Sequence, residues 1–134
     1  MTVYGMTISV PGSLAERKQH VVDALKTQGF GILTEIDVQK TMKEKIGVDY
    51  EPYLILGACN PGLAHRSLSS DRLIGLLLPC NVVLRQVGAN VEVSILDPQV
   101  MFSVVEPKTL EELGTLPQEA KNLLQAALDN IVNS

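Results

Sequence analysis

Residues 116–131 constrain the fold more than any other part of the chain. Leu116, Ala120, Leu123, Leu124, Ala127, Leu128 and Ile131 fall on one side of a 3.6-residue helix. A stripe that long and that apolar must lie against another apolar surface. The sequence supplies one. Residues 81–87 and 91–96 both alternate apolar with polar side chains, and Gly88-Ala-Asn90 joins them as a hairpin signal. Residues 53–59, Tyr-Leu-Ile-Leu-Gly-Ala-Cys, form an unbroken apolar run, the pattern of a central strand buried on both faces.

The rest of the chain fills in around that pair of layers. Alternation over residues 2–10 predicts a first strand, stopped by Pro11-Gly12. Ser13-Leu-Ala-Glu16 reads as a capping box, followed by Leu14, Val21, Val22 and Leu25 on one helix face and Gly29 as a left-handed stop. Phe30, Ile32, Thr34 and Ile36 alternate as a second strand. Asp37 caps a short helix carrying Val38, Met42 and Ile46, which Gly47 ends. Asn60-Pro61 opens another helix, with Asn as the cap and Pro in the first turn. Leu73 to Leu78 reads as an apolar connector, and residues 99–114 carry no clear period. The predicted order is β-α-β-(α)-β-(α)-β-β-α. It makes an α+β fold, with a curved, mainly antiparallel sheet of about five strands and the long C-terminal helix packed on one face. At 134 residues the chain has room for one domain, residues 1–134.

Composition then removes several function classes. The net charge is -4 and the basic residues are scattered, so the row of Lys and Arg that nucleic-acid binding needs is missing. Lys40, Lys43 and Lys45 are the only local basic group, and Glu44 sits among them as on a solvated helix face. No stretch approaches the roughly 20 apolar residues that cross a bilayer, and the first residues lack the pattern of a signal peptide. No nucleic acid and no membrane partner is expected, and the cytoplasm is the default location. Two cysteines are too few for a secreted disulfide scaffold. There is no phosphate-binding Gly-rich loop with Lys, no Gly-x-Ser-x-Gly elbow and no His-Glu-x-x-His. Glu111-Glu112 and His20 read as surface residues, and no cofactor follows from the sequence.

One cluster remains in which chemistry could reside. If the strands at Tyr53 and Asn81 are antiparallel neighbours, Cys59 and Cys80 come to the same rim of the sheet. Cys59 also precedes a helix N-terminus, where free N–H groups favour anions and lower a thiol's pKa. His65 and Arg66 follow on that helix, and Asp97 would join if its strand end curves back. The expected ligand-binding set is Cys59, Asn60, His65, Arg66, Cys80 and Asn81. It supports a small-ligand-binding domain, with the helix start holding an anionic group. A thiol-dependent redox or transfer enzyme with Cys59 as the catalytic candidate is the alternative. A metal site is not expected, since there is no Cys-x-x-Cys; Cys59, His65 and Cys80 are the one ligand set on offer. An apolar-ligand carrier would need a cavity between sheet and last helix, and an interaction module an exposed apolar patch. Against all of these stands the plain reading. Both cysteines are then small buried hydrophobes, and Asn60-Pro61 is only a helix start.

The stretches Gly29-Phe-Gly-Ile-Leu-Thr-Glu-Ile-Asp37, Tyr53-Leu-Ile-Leu-Gly-Ala-Cys-Asn-Pro61, Leu76-Leu-Leu-Pro-Cys-Asn-Val82 and Asp97-Pro98, in that order, resemble the bacterial and archaeal family known as domain of unknown function 302. The resemblance covers roughly residues 3–133. It implies a fold similar to the TATA-binding-protein half-repeat and a tendency to homodimerise. It implies no activity, and the fold by itself does not bring nucleic-acid binding with it. Members share the Asn-Pro step seen here as Asn60-Pro61, whereas the cysteines look like a feature of one subgroup.

Overall fold

In a computed structural model that describes residues 4–134, five strands form one antiparallel sheet. The strands are β1 (Gly5–Pro11), β2 (Gly31–Asp37), β3 (Tyr53–Cys59), β4 (Cys80–Val87) and β5 (Asn90–Leu96), in the spatial order β1-β5-β4-β3-β2. The helices are α1 (Leu14–Thr27), α2 (Val38–Ile46), α3 (Pro61–Ser70), α4 (Pro98–Met101), α5 (Pro107–Leu113) and α6 (Leu116–Val132). Two 3-10 turns, Arg72–Leu77 and Phe102–Val104, complete the path. The α+β class and element order agree with the sequence reading. The predicted start of the first strand, at Thr2 and Val3, lies outside the described residues.

One face of the sheet carries the core. Leu54, Leu56 and Ala58 of β3, Val82 and Leu84 of β4, and Val91, Val93 and Ile95 of β5 all point there. Val21 and Leu25 of α1 and Leu124, Ala127, Leu128 and Ile131 of α6 cover them. The alternation that marked β4 and β5 and the stripe that marked α6 are thus two sides of one apolar layer. A second cluster lies beyond the rim of the sheet, where Ile74, Met101, Phe102, Leu113 and Leu116 pack together. It accounts for residues 98–113: short helices with Pro in the first turn, folded against the start of α6.

Among the described residues the other face of the sheet carries no buried apolar layer, so β3 is not a strand buried on both sides. Tyr53 and Ile55 are only half-buried there. Gly57 is the exception, because a Cβ at that position would meet Thr34 Oγ1 and lie 2.6 Å from Pro79 Cγ. Glycine is required where another chain segment crosses this closely.

The edge strand β2 departs from its simple alternation. The pairing with β3 shifts between Ile32 and Thr34, leaving Leu33 as an extra residue. Ile32 therefore falls on the core side opposite Ala58, while Ile36 falls on the open side opposite Ile55. Glu35 comes round to the helix side, where Lys18 of α1 reaches it at 2.6 Å. The residue that breaks the alternation, Leu33, stays 66% exposed.

Candidate functional site

The predicted rim is real as a place but not as a constellation. β3 and β4 are antiparallel neighbours, and Ala58 is the register partner of Cys80. Cys59 is therefore one residue out of step with Cys80, and the pleat sends the two side chains to opposite faces. Both cysteines are free. Cys80 points to the core, buried, with its thiol 3.7 Å from the Leu96 carbonyl oxygen. Burial pushes that thiol up to about 12, and desolvation raises Cys59 as well. Neither moves in the direction expected of a thiol activated by a helix N-terminus.

Asn60 does what the sequence suggested locally, and a little more. Its Oδ1 accepts from Leu63 N at 3.2 Å, capping α3, and its Nδ2 donates to the Gln28 carbonyl at 3.5 Å. That second bond ties the start of α3 to the end of α1. Gly29, in the left-handed region at φ 81°, leaves room for it, since a Cβ there would sit 2.9 Å from Asn60 Nδ2. His65 and Arg66 lie on the exposed side of α3, and Arg66 pairs with Glu119 of α6 at 3.2 Å. Asp97 does not join the rim. It caps α4 by accepting from Gln99 N at 2.9 Å and pairs with Lys121 at 2.9 Å. Cys59, His65 and Cys80 make no metal set, and no group of three His, Cys, Asp or Glu side chains converges among the described residues.

The cavity at this rim holds about 50 Å³ and its lining is almost entirely apolar. Cys59, Asn60 and Cys80 border it, together with Phe30, Leu116 and Leu124. Pockets that take small molecules run to about 300–1,000 Å³. This cavity is far too small for an apolar ligand, so it lends the carrier reading no support.

A larger site lies on the open face, and of the residues expected at the rim only Asn81 lines it. A basin of about 520 Å³ is lined by Tyr4, Tyr50, Glu51, Tyr53, Asn81, Val83, Arg85, Glu92, Ser94 and Leu96, with Gly5 and Ile95. The chain has three tyrosines, and all of them are here. The Tyr50 and Tyr53 rings stand edge to face, with centroids 6.0 Å apart and planes at 64°. Arg85 and Glu92 are register partners across the β4–β5 hairpin. The guanidinium donates through Nε and Nη2 to the two carboxylate oxygens of Glu92, at 3.0 and 3.2 Å. Its Nη1 donates to Glu51 at 3.4 Å. Burial, and the neighbouring Tyr50 after it, push the Tyr53 phenol up; the Arg85 guanidinium opposes them, and Glu51 and Tyr4 add smaller upward contributions. All of these groups are therefore within electrostatic reach of one hydroxyl.

The family described as domain of unknown function DUF302 matches residues 6–131. The chain belongs to that family. The crystal structure of an uncharacterised conserved DUF302 protein from Bacillus stearothermophilus is similar to it, with a TM-score of 0.84 and 28% sequence identity. That match covers 96% of this chain and 98% of the other. No curated protein matches. Membership in DUF302 thus brings a fold and no activity, and the function has to be read from the site. No helix among the described residues is long and apolar enough to cross a membrane.

Proposed function

We propose that this DUF302 chain is a small-ligand-binding domain whose ligand sits in the tyrosine-lined basin on the open face of the sheet. One observation carries the reading: all three tyrosines meet the Arg85–Glu92 pair in a concavity of about 520 Å³. That is the size and the mix of aromatic, aliphatic and few polar groups that ligand pockets have. Asn81, expected at the rim, lines this basin instead. The rim set of Cys59, Asn60, His65, Arg66 and Cys80 is the rival location, supported by its nearness to a helix N-terminus. Cytoplasmic placement goes with this reading, supported by two thiols that stay unpaired.

The test is a metabolite library followed by amide chemical shifts, on the wild type and on Tyr53→Ala. Ligands should move resonances of β3, β4 and β5 on the open face, and Tyr53→Ala should abolish the shifts. Tyr4→Ala removes a ring that is 63% exposed and keeps the test alive if Tyr53→Ala does not fold. Ligands that survive both changes and map around Cys80 would overturn the basin in favour of the rim.

Homodimerisation is part of the proposal, and a separate feature supports it. Leu76 and Val104 are 84% and 74% exposed, and they line one groove of about 400 Å³ with Leu78, Pro79 and Met101. Asn81 and Leu96 belong to both the groove and the basin. A second copy seated on the groove would border the ligand site. Sedimentation equilibrium should give a dimer that Leu76→Asp dissociates. A wild-type monomer at every concentration would remove the dimer and leave the basin untouched.

A further inference from the structure

The charges in the basin say more about its ligand than its size does. Among the described residues that line it, the ionisable side chains are Arg85, Glu51, Glu92 and the three tyrosines. One guanidinium faces two carboxylates, which leaves one negative charge in surplus. Each nitrogen of the guanidinium already donates to a carboxylate, Nε and Nη2 to Glu92 and Nη1 to Glu51, which takes three of its five N–H groups. An anionic ligand would have only the other two N–H groups to use and would meet both carboxylates beside them. Both carboxylates keep contact with solvent, with about a third to two fifths of each side chain exposed, and so can approach a ligand.

The aromatic groups point the same way. Tyr50 and Tyr53 stand at 64° to each other and form a corner, and Tyr4 lies within electrostatic reach of the Tyr53 hydroxyl. Ring faces carry negative charge density and attract cations within about 6 Å of the centroid. Several rings meeting beside a carboxylate make the arrangement that binds ammonium groups. Beside them, Val83 and Leu96 offer aliphatic surface for an apolar body.

We propose, resting on the basin as the ligand site, that its ligand is a small organic cation, with an ammonium group held by the Tyr50–Tyr53 corner and Glu51 and an apolar body laid over Val83 and Leu96. The site then selects on charge: it takes an amine and refuses the alcohol or the acid of the same shape.

Three probes of nearly one shape test this by titration against amide chemical shifts at neutral pH: 2-phenylethylamine, which is protonated there, 2-phenylethanol and phenylacetate. The amine should bind about tenfold or more tighter than the alcohol, with a cation–π contact at part-exposed rings supplying about threefold and the Glu51 carboxylate the rest. Phenylacetate should be the weakest. Glu51→Gln removes the surplus charge from a half-exposed side chain, and should bring the amine to within about threefold of the alcohol. If the alcohol or the acid binds at the same resonances as tightly as the amine, the cation class is overturned and the basin stands as a site for another ligand. If none of the three moves the basin resonances at millimolar concentration, the proposal is likewise overturned. The library screen on Tyr53→Ala then decides separately whether the basin binds anything.

Discussion

Cys80 offers the sharpest test of how the rim is built. Its thiol is 8% exposed and lifted by burial from 9.0 to about 12. Near pH 8 an ordinary thiol of pKa 9.0 is about one-tenth thiolate, whereas Cys80 in the folded chain is about one ten-thousandth thiolate. Reaction with a disulfide reagent such as Ellman's should therefore be about a thousandfold slower from ionisation alone, with steric shielding adding to it. Native protein should show at most one slow thiol, Cys59, and Cys80 should appear only on adding guanidinium. The same shift has a consequence for stability. The folded chain holds the Cys80 proton more tightly than the unfolded chain does, so this contribution is complete below about pH 9. As pH rises from about 9 to about 12 the unfolded thiol ionises first and stability falls, by about 1.4 kcal/mol per unit and about 4 kcal/mol across the window. Urea melts of wild type and Cys80→Ala over pH 8–11 isolate this slope, because Cys59 and Tyr53 are common to both. Rapid labelling of Cys80 in the native protein, or equal slopes in the two series, would refute the buried placement. It would also restore the thiol enzyme as a reading.

Other substitutions probe the supports of the two sites. Asn60→Ala removes the α3 cap and the bond to Gln28, and should cost about 1–2 kcal/mol in a denaturant melt; an unchanged midpoint would mean that Asn60 is free for a ligand. Gly57→Ala forces a methyl group against Thr34 and Pro79, at about 1–3 kcal/mol. Gly31→Ala, which meets nothing within 4 Å, should stay within about 0.5 kcal/mol, and equal effects at the two positions would contradict the packing over the open face. Leu128→Ala empties a position that is 1% exposed beneath the sheet, and should lower stability by about 2–5 kcal/mol; a loss under about 1 kcal/mol would show that α6 is not the cover of the core.

Where one element's own period carried the information, the sequence could be read. α6 and the hairpin of β4 and β5 follow directly from their patterns, and the caps at Ser13, Asp37 and Asn60 each accept from the expected backbone N–H. β2 could not be read fully, because one extra residue at Leu33 exchanges the faces of everything after it and nothing local marks the shift. Residues 98–113 were opaque for a different reason. Helices of four and seven residues are too short to show a period, and they are held by Met101, Phe102 and Leu113 packing on Ile74 and Leu116 far away in sequence. For the cysteines the missing quantity was register. Bringing Cys59 and Cys80 to one rim was correct, but whether they share a face depends on Cys80 pairing with Ala58, one residue away from the alternative. The basin was missed although part of it was in view. Once Gly88 marks the hairpin, Arg85 and Glu92 must face each other across it; the tyrosines join only through the order of the strands.

The contrast between the two faces of the sheet is what supports the proposed site. An antiparallel sheet covered on one side ordinarily turns polar, solvated side chains to the other. Here β1 and the outer part of β5 do so, with Thr7 and Ser94 hydrogen-bonded at 2.9 Å. The centre does not. Tyr53, Ile55, Val83 and Leu96 stay half-buried on the face opposite the core, and Arg85 is held by two carboxylates beside them. Solvation does not require tyrosines to gather there, and the core does not need them, since its leucines and valines close on the opposite face. The rim residues Cys80 and Asn60, by contrast, are accounted for by packing: Cys80 fills the core and Asn60 joins two helices. What packing leaves unexplained is the tyrosine corner and its surplus carboxylate, and a ligand carrying an apolar body and a positive charge would account for both.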